Sequence, residues 1–330
     1  MGTFYLTEPY CFIRKESERL KIYKDKKLLK EVRVNDFLRF YIHDSSTLTT
    51  DALMMLAEKG IDVVYFSHNQ MVGRFIGKEN KNVRLRIAQV ESHLSEEKSL
   101  LIARNMILAK LKNTRTNLQR FSRRHDLDLQ HSILALKHAM KSAMEADHLE
   151  QLRGIEGVAA KAYFSSFPSL ILKKEFTFNY RSRRPAKDEV NALLNYGYAL
   201  LRAEITSALQ AAGLDPYIGF LHRERYGRES LSLDLMEEFR SIFVDNLIIK
   251  MINKGMIKSA DIDHVQGEFR IRGSARKRFI ELFDQKRKDE VTHELLQKKM
   301  SYREVFHRQA ILLAKFIKSE MDDYYPFLIK

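Results

Sequence analysis

Cysteine, proline and glycine are scarce in this chain, whose 330 residues include one cysteine, 5 prolines and 13 glycines. The lone cysteine, Cys11, excludes disulfides within the chain and zinc sites built on several cysteines. Few prolines and glycines favour long helices over a loop-rich all-β fold. No apolar run approaches the roughly 18 residues that span a membrane, and no secretory signal is visible at the N-terminus. We therefore expect a protein of the reducing cytoplasm that has no membrane partner.

Positive charge is in excess, and it is unevenly distributed. The formal net charge is +14, of which residues 1–80 carry +2 and residues 81–330 carry +12. Such a surplus predicts a polyanionic partner, most often nucleic acid. Arginine contacts phosphate better than lysine does, because its planar guanidinium matches the oxygens of a phosphate. A single run of charged residues, however, usually marks a solvated face. The arginine-rich patches are Arg115, Arg120, Arg123 and Arg124; Arg181, Arg183 and Arg184; Arg223, Arg225 and Arg228; and Arg270, Arg272, Arg276, Lys277 and Arg278.

The spacing of apolar residues changes along the chain and predicts two domains. Residues 1–80 contain short runs rich in β-branched and aromatic residues, separated by polar turns, which predict a β-rich domain with one helix. From about residue 83, apolar residues recur at helical spacing, which predicts an all-helical domain over 81–330. The predicted fold class is therefore α+β and multidomain, with a small N-terminal β-rich domain followed by a larger all-α domain.

The predicted elements can be assigned to ranges of the sequence. Strands are expected over 3–6, 10–14, 20–23, 32–34, 37–42, 61–67 and 71–76. Helices are expected over 46–59, 83–112, 127–146, 149–164, 188–212, 231–251, 275–288 and 302–321. Residues 264–272 could form a small hairpin within the helical part.

The first segment with chemical potential contains Glu156, which lies between Gly154 and Gly157 at the edge of the apolar face of helix 149–164. Glycine in a helix costs about 1 kcal/mol relative to alanine. Two glycines beside a carboxylate therefore predict close approach of another backbone or of a ligand. A half-buried carboxylate needs a cation, hydrogen bonds or a raised pKa. An exposed glutamate on an ordinary helix is the alternative.

The second segment is the predicted loop 213–222, which ends at His222. This histidine follows an apolar run, so its imidazole could lie at the edge of the core. Three arginines follow it, Arg223, Arg225 and Arg228, and they oppose its protonation. A neutral imidazole is the form that binds a metal, although a lone histidine is more often structural.

The third segment carries Asp234 and Glu237, which are i,i+3 neighbours on the predicted helix 231–251. A solvated acidic face is the simplest interpretation of this pair. However, the two carboxylates follow His222 by a short loop in a strongly basic domain. That combination could hold a hard divalent cation on oxygen and imidazole ligands.

Taken together, these segments resemble the CRISPR-associated integrases of spacer acquisition, the Cas1 family. The resemblance rests on several motifs that occur in the family's order and spacing, and the β-then-helical layout agrees across the whole chain. A C-terminal run at 322–327 (DDYYPF) resembles the type I-C branch. The matching motifs are the GIEG box at 154–157 with Ala159, Ala160, Tyr163 and Phe164, and the segments 184–198, 213–222 and 230–240.

The resemblance implies three catalytic metal ligands, Glu156, His222 and an acidic residue of the third segment, for Mg²⁺ or Mn²⁺. Many relatives carry Asp-x-x-Asp in that segment, whereas this chain has Asp234-x-x-Glu237. We assign the ligand to Glu237 and regard Asp234 as a neighbouring carboxylate that supports the ligands. Because the chain has glutamate where many relatives have the second aspartate, the resemblance leaves open which of the two binds the ion.

Four arginines are the predicted DNA contacts. Arg225 lies where some relatives carry a lysine close to the reacting phosphate. Arg223 and Arg228 belong to the same arginine-rich patch as Arg225, and Arg184 belongs to the patch at 181–184. Contacts of this kind would position a duplex largely without regard to its sequence.

The implied activity is that of a metal-dependent DNA integrase and endonuclease. The 3′-hydroxyl of a double-stranded fragment attacks the phosphodiester at the leader–repeat junction of a CRISPR array, and a second attack completes insertion of a spacer. The implied partners are double-stranded DNA, a second copy of the chain in a homodimer joined through the β-rich domains, and the small Cas2 protein. Two other classes stay open, a metal-dependent structure-specific nuclease acting on branched DNA in repair and a non-catalytic nucleic-acid-binding scaffold.

Overall fold

The computed structural model describes residues 2–67, 70–75, 77 and 82–329, and the chain divides into two compact units. The first unit comprises Met1–Asn80 with Ile271–Asp284, and the second comprises Lys81–Arg270 with Gln285–Lys330. The domain boundary predicted between residues 80 and 81 lies outside the described residues, as does the last position of predicted strand 71–76, Ile76. Within the described ranges, no helix is both long enough and apolar enough to cross a membrane.

The elements are numbered in chain order. The strands are β1 (Gly2–Leu6), β2 (Phe12–Glu16), β3 (Arg19–Lys24), β4 (Lys27–Arg33), β5 (Phe37–His43), β6 (Thr47–Leu48), β7 (Asp62–Ser67), β8 (Gln70–Phe75), β9 (Ile262–Val265), β10 (Glu268–Ile271), β11 (Glu290–His293) and β12 (Lys298–Ser301). The helices are α1 (Thr50–Glu58), α2 (Val83–Leu94), α3 (Glu96–His125), α4 (Gln130–Met144), α5 (Leu149–Leu170), α6 (Glu189–Ala212), α7 (Ser230–Met236), α8 (Asn246–Asn253), α9 (Gly273–Lys288) and α10 (Tyr302–Ile317).

The first unit is built on two four-stranded sheets. One has the order β1-β5-β7-β8, with β1, β5 and β7 parallel, and the other has the order β4-β3-β2-β6. Asp25 and Lys26 form the tight turn between β3 and β4, where both residues have positive φ (49° and 63°) as a two-residue hairpin requires. The inward side chains of both sheets and of α1 form one hydrophobic core, which includes Ile13, Phe40 and Leu56. The N-terminal region is therefore β-rich with one helix, as predicted.

Most of the fourth arginine-rich patch, from Arg272 to Arg278, lies in the first unit and not in the helical domain to which the sequence pattern assigned it. Residues 271–284 belong to the first unit, in which Phe279 and Phe283 are fully buried. Arg276 of this segment donates to Asp44 at 2.7 Å. The sequence pattern placed the patch with the neighbouring helices because periodicity reports that a helix has an apolar face but not which core that face joins.

The second unit is mainly helical, but the prediction of an all-helical domain is wrong. Two short antiparallel hairpins, β9–β10 and β11–β12, lie within it. The first confirms the hairpin expected near residues 264–272, and its turn consists of Gln266 and Gly267, both with positive φ. The second was not predicted, because its strands are only four residues long and β12 (KKMS) contains two lysines and no β-branched residue.

Two helices predicted as continuous are interrupted in the structure. The predicted helix 83–112 is α2 and α3, separated at Ser95, whose hydroxyl accepts a hydrogen bond from the backbone N–H of Lys98 and caps α3. The predicted helix 231–251 is α7, a π-helical segment over Arg240–Asp245, and α8. Asn113 and Asn117 of α3 donate to the carbonyls of Glu238 and Ser241 at 2.9 Å each, so side chains occupy carbonyls at the break.

Candidate functional site

Three distant segments bring two carboxylates to one lysine in the second unit. Lys110 lies on α3, Glu156 on α5, and Glu237 directly after α7. The Lys110 ammonium lies 2.7 Å from Glu237 Oε2 and also donates to Glu156 Oε1. The Glu237 side chain is 5% exposed and that of Glu156 is 28% exposed, so one carboxylate is buried and the other reaches solvent. One cation therefore joins two carboxylates that are 81 positions apart in the sequence.

The charges of this cluster stabilise one another. Burial alone would lower the pKa of Lys110, but the carboxylates of Glu237 and Glu156 raise it above its usual value. Burial would raise the pKa of Glu237, and the opposing charges of Arg240 and Lys110 lower it well below its usual range. Arg240 contacts Glu237 Oε1 through Nε at 3.2 Å. The side chains of Lys110, Arg240 and Glu237 are thus all charged at neutral pH.

Asp234 holds His222 and the backbone that precedes it. The imidazole donates from Nδ1 to Asp234 Oδ1 at 2.6 Å, and the backbone N–H of His222 donates to the same oxygen at 3.0 Å. Asp234 Oδ2 accepts from the N–H groups of Phe220 and Leu221 at 2.6 and 3.0 Å. Because Nδ1 is committed to Asp234, Nε2 is the nitrogen with a lone pair for another ligand.

The loop before His222 is held by α2 as well. Gln89 is fully buried and donates to the carbonyls of Asp215 and Ile218 at 2.8 and 2.9 Å. His93 donates from Nδ1 to the carbonyl of Gly219 at 2.5 Å. A Cβ built on Gly219 would lie 2.8 Å from Asp234 Oδ2 and from the backbone carbon of Ser230. The loop can therefore approach Asp234 only because residue 219 has no side chain.

We expect Gly219→Ala to destabilise the protein and Gly157→Ala to have the opposite effect. The added methyl at Gly219 would force Asp234 and the Ser230 backbone apart, at a cost of about 1–3 kcal/mol. A Cβ on Gly157 meets no atom of the described residues within 4 Å, so alanine should stabilise α5 by about 0.5–1 kcal/mol. Urea unfolding of both variants measures the two changes. Equal stabilities would contradict the close packing at Gly219.

Lys110, Glu156, Glu237 and His222 line one cavity of about 700 Å³ that opens to solvent. Asp245 lines the same cavity, and it accepts hydrogen bonds from the hydroxyls of Tyr163 at 2.9 Å and Tyr198 at 2.5 Å. Burial raises the pKa of Asp245 to about 6, against the lowering effect of the two tyrosines.

Guanidinium groups complete the cavity. The carbon at the centre of the Arg240 guanidinium lies 4.9 Å from the centroid of the Tyr198 ring, and that of Arg181 lies 5.3 Å from it. Arg181 also donates to Asn191 and Asn195 at 2.8 and 2.7 Å, which fixes its orientation. Carboxylate, imidazole and guanidinium groups thus line one cavity.

The structure brings the three predicted ligand residues into this cavity, and it changes the interpretation of their surroundings. The solvated acidic face considered for Asp234 and Glu237 is wrong, since their side chains are 0% and 5% exposed. The close backbone approach expected at Gly154 and Gly157 is also wrong, because a Cβ on either would meet open space among the described residues.

The cavity does not contain a ready-made cluster of metal ligands in the conformation described. In the part of the chain that the structure describes, no three or more histidine, cysteine, aspartate or glutamate side chains lie close enough together to hold a metal. The Lys110 ammonium joins the two glutamates instead.

The four arginines predicted to contact DNA lie outside the lining of this cavity. Arg184 and Arg223 are exposed, and Arg223 pairs with Glu150 of α5. Arg225 and Arg228 line a separate cleft beside Tyr217. Three other arginines line the cavity, namely Arg181 and Arg183, which belong to the same patch as Arg184, and Arg240.

Sequence reasoning missed Lys110, Arg240 and Asp245. Lys110 is a charged residue inside the apolar run IARNMILAKL of α3, which was the available signal. Asp245 likewise interrupts an apolar run, IFVDNLII at 242–249, whereas nothing local distinguishes Arg240 from a residue of a solvated charged face.

The chain is thus a basic protein of two units with an α+β fold. Its helical unit contains a cavity that is lined by carboxylate, imidazole and guanidinium groups. The family model described as "CRISPR associated protein Cas1" matches residues 4–285. The chain belongs to the Cas1 family. Curated relatives of the chain are named CRISPR-associated endonucleases, one of them as a fusion with an exonuclease.

Three curated relatives illustrate the similarity. The chain is 35% identical over 339 residues to CRISPR-associated endonuclease Cas1 1 of Moorella thermoacetica, covering 100% of this chain and 99% of that protein. It is 34% identical over 333 residues to endonuclease Cas1 3 of Thermus thermophilus, with coverages of 100% and 98%. The identity is 36% over 335 residues to a Cas4/Cas1 exonuclease–endonuclease fusion of Geobacter sulfurreducens, covering 99% of this chain and 60% of the fusion.

Solved structures share the fold. A casposase bound to its integration product superposes with a TM-score of 0.88 at 25% identity, covering 98% of this chain and 93% of that one. A Cas1 protein from Thermotoga maritima superposes with a TM-score of 0.85 at 25% identity, with coverages of 98% and 99%.

Proposed function

We propose that this chain is a metal-dependent DNA integrase and endonuclease that inserts foreign DNA fragments as new spacers into a CRISPR array. The observation that carries the proposal is the convergence of Glu156, Glu237 and His222 on one cavity that Arg181 and Arg240 also line. Membership of the Cas1 family supports it, as does the similarity to a casposase captured with its integration product.

The residues present fit a divalent cation. Glu156 and Glu237 already share one positive charge, the Lys110 ammonium, and two carboxylates with a neutral imidazole form a donor set suited to Mg²⁺ or Mn²⁺. Glu156, Glu237 and His222 Nε2 would hold the ion, and Asp234 would orient His222 without binding the ion. When bound, the ion would polarise a phosphoryl oxygen and stabilise the negative charge that develops on it.

The chain's own cations would bind the DNA backbone at the cavity. Arg181 and Arg240 are held by Asn191, Asn195, Glu237 and the Tyr198 ring, so they need little reorganisation to accept a phosphate. In the proposed reaction, a 3′-hydroxyl oxygen forms a bond to phosphorus while the bond to the leaving 3′-oxygen of the target strand breaks. The attacking hydroxyl loses its proton and the leaving oxygen gains one; with water as the nucleophile the same exchange is hydrolysis.

Four further features stay predictions. A homodimer, a complex with Cas2 and a type I-C origin follow from the family resemblance, and a cytoplasmic location follows from the composition of the sequence. Arg184, Arg223, Arg225 and Arg228 remain predicted contacts to DNA outside the cavity, and double-stranded DNA remains the proposed substrate.

A joining assay tests the function. A labelled duplex fragment with free 3′ ends is incubated with a supercoiled leader–repeat plasmid, Mn²⁺ and the protein together with its Cas2 partner. We expect label to become covalently attached to the plasmid at the leader–repeat junction. Cutting of branched DNA without joining would favour a structure-specific nuclease, and binding without either product would favour a scaffold.

Lys110→Met tests the cation site by stability rather than by activity. Without metal, the variant leaves two carboxylates facing one another, and we expect unfolding free energy to fall by about 3 kcal/mol. A loss of about 3 kcal/mol is at the low end of what removal of one partner from a buried ion pair costs. We expect the low end because Glu156 is partly exposed and Arg240 still contacts Glu237. Saturating Mn²⁺ should restore most of the loss, since a ligand at 100 times its Kd stabilises by about 2.7 kcal/mol. Lys112→Met, at an exposed position of the same helix, is the control. A variant whose unfolding is insensitive to Mn²⁺ would contradict the site.

A further inference from the structure

A second cationic site lies in the helical unit, in a groove between α3 and α8. Its cavity measures about 1310 Å³ including open solvent. No aspartate or glutamate is among the described residues that line it. The basic side chains that line this α3–α8 groove are Arg120, Arg124 and His125 of α3, Lys250 and Lys254 at the end of α8, and Lys286.

Four of these cations have no ion-pair partner among the described residues, namely Arg120, Arg124, Lys250 and Lys254. Single arginines of other basic patches are paired within the protein, as Arg223 is with Glu150 and Arg276 with Asp44. Burial and the nearby charge of Lys250 both lower the pKa of Lys286, opposed by Asp289. The positive potential of the groove is therefore available to an external anion.

The groove also offers aromatic and apolar surface. The rings of Phe121 and His125 lie with centroids 4.3 Å apart, Phe121 half-buried and His125 exposed. Leu247 and Ile249 of α8 are buried beneath the same cavity. Aromatic rings beside a row of cations are the combination that binds unpaired bases and their backbone, because each base presents a face for stacking.

Helix α3 connects the groove with the catalytic cavity. Lys110 and Thr114 line the cavity, whereas Asn117, Arg120 and Arg124 line the groove further along the same helix. At 1.5 Å per residue, Lys110 and Arg120 are about 15 Å apart along the helix axis. A strand of a few nucleotides could therefore extend from one to the other.

We propose that the α3–α8 groove binds single-stranded nucleic acid at a site separate from the catalytic cavity. The cations contact the sugar-phosphate backbone, and an unpaired base stacks on the Phe121–His125 pair. Duplex DNA would engage the cations but not the rings, since its bases are already stacked. The inference goes beyond the proposed function, because the groove contains none of the residues proposed to hold the metal.

Fluorescence anisotropy with a labelled oligothymidine and a labelled duplex tests the proposal. It is measured without metal in the Glu156→Gln background, so that a failure of the catalytic proposal leaves the outcome readable. We expect the double variant Arg124→Glu/Lys254→Glu to bind oligothymidine at least about ten-fold more weakly, equivalent to one lost charge-assisted hydrogen bond. The slope of log affinity against log salt should fall by about 1.4, for two lost phosphate contacts on a single strand.

A matched control separates this site from general charge. Lys137→Glu/Lys141→Glu makes the same change of charge at exposed positions of α4, and it should leave the affinity for oligothymidine within about two-fold of the parent. Thermal unfolding of both double variants checks that the fold is retained. Equal affinities of the groove and control variants would overturn the proposal.

Phe121→Leu tests for stacking while it preserves apolar bulk. We expect the affinity for oligothymidine to fall at least about five-fold, because stacking on an aromatic side chain contributes about 1–3 kcal/mol per base. The affinity for duplex should not change. Polyglutamate competing as well as oligothymidine, together with no effect of Phe121→Leu, would identify a general anion site and contradict the inference.

Discussion

Replacing Glu156 by glutamine is expected to reduce joining and cleavage by about a hundred- to a thousand-fold, with duplex affinity retained. Glutamine preserves the size of the side chain but removes one of the two charges that surround Lys110. The proposed site would lose a ligand, and with it the stabilisation of charge that develops at phosphorus, for which single-group losses are of this size. Joining of labelled fragment to plasmid and filter binding of duplex measure the two quantities.

Glu91→Gln provides the matched control, since Glu91 is an exposed carboxylate on α2 outside the lining of the cavity. It should join DNA at the parent rate. A Glu156→Gln protein that joins DNA as fast as this control in the presence of Mn²⁺ would remove Glu156 from the site.

Asp234→Ala should impair the protein in a different way, by lowering both activity and stability. The carboxylate accepts hydrogen bonds from three backbone N–H groups and from the His222 ring. Each buried donor left without a partner costs about 1–3 kcal/mol, so unfolding free energy should fall by at least about 3 kcal/mol. Joining should fall together with it, because His222 loses the group that sets its tautomer and orientation.

Asp215→Ala is the control for this variant. Asp215 accepts one hydrogen bond in the same loop, from the backbone N–H of Tyr217 at 2.8 Å, at a position that water can reach. We expect a loss of about 1 kcal/mol or less. If Asp234→Ala proved as stable as Asp215→Ala, Asp234 would not be the group that holds the His222 loop. Glu156→Gln, by comparison, should lose activity with little loss of stability, which distinguishes a ligand from a residue that positions one.

The helices with clear ends were predictable from local sequence. The range predicted for α6 differs from the observed one by a single residue, because Asp188 caps its start and Gly213, with φ of 89°, ends it. Helix α5 begins where predicted but extends beyond residue 164 to Leu170. Pro168 lies in its last turn, and the helix ends where the backbone N–H of Ile171 donates to the carbonyl of Pro168. Spacing and capping chemistry act within a few residues, so the sequence displays them directly.

The interruption of the predicted helix 231–251 could not be predicted in the same way. Its apolar residues at every fourth position from Leu231 to Leu247 are all buried, as one face of a helix would be, yet Asn113 and Asn117 donate to carbonyls at the break. Asn113 and Asn117 belong to α3, which precedes the break by more than 100 positions in the sequence. Local periodicity carries no information about them, and a tertiary partner overrides propensity here.

The candidate site was predictable in its residue types but not in its charge balance. Glu156, His222 and Glu237 stand out by resemblance to the family's motifs, and the structure places them in one cavity. The burial of Glu237 depends on Lys110 and Arg240, whose roles exist only after α3 packs against α5 and the π-helical segment. A solvated and a buried carboxylate look alike in sequence, because the difference is made by distant cations.

Whether Glu156, Glu237 and His222 hold a divalent cation can be tested in crystals soaked in Mn²⁺ and measured at the manganese absorption edge. We expect one strong anomalous peak within coordination distance of the Glu156 and Glu237 carboxylates and of His222 Nε2, with the Lys110 ammonium displaced from between the glutamates. A cavity without an anomalous peak, or a peak that contacts none of these three side chains, would contradict it.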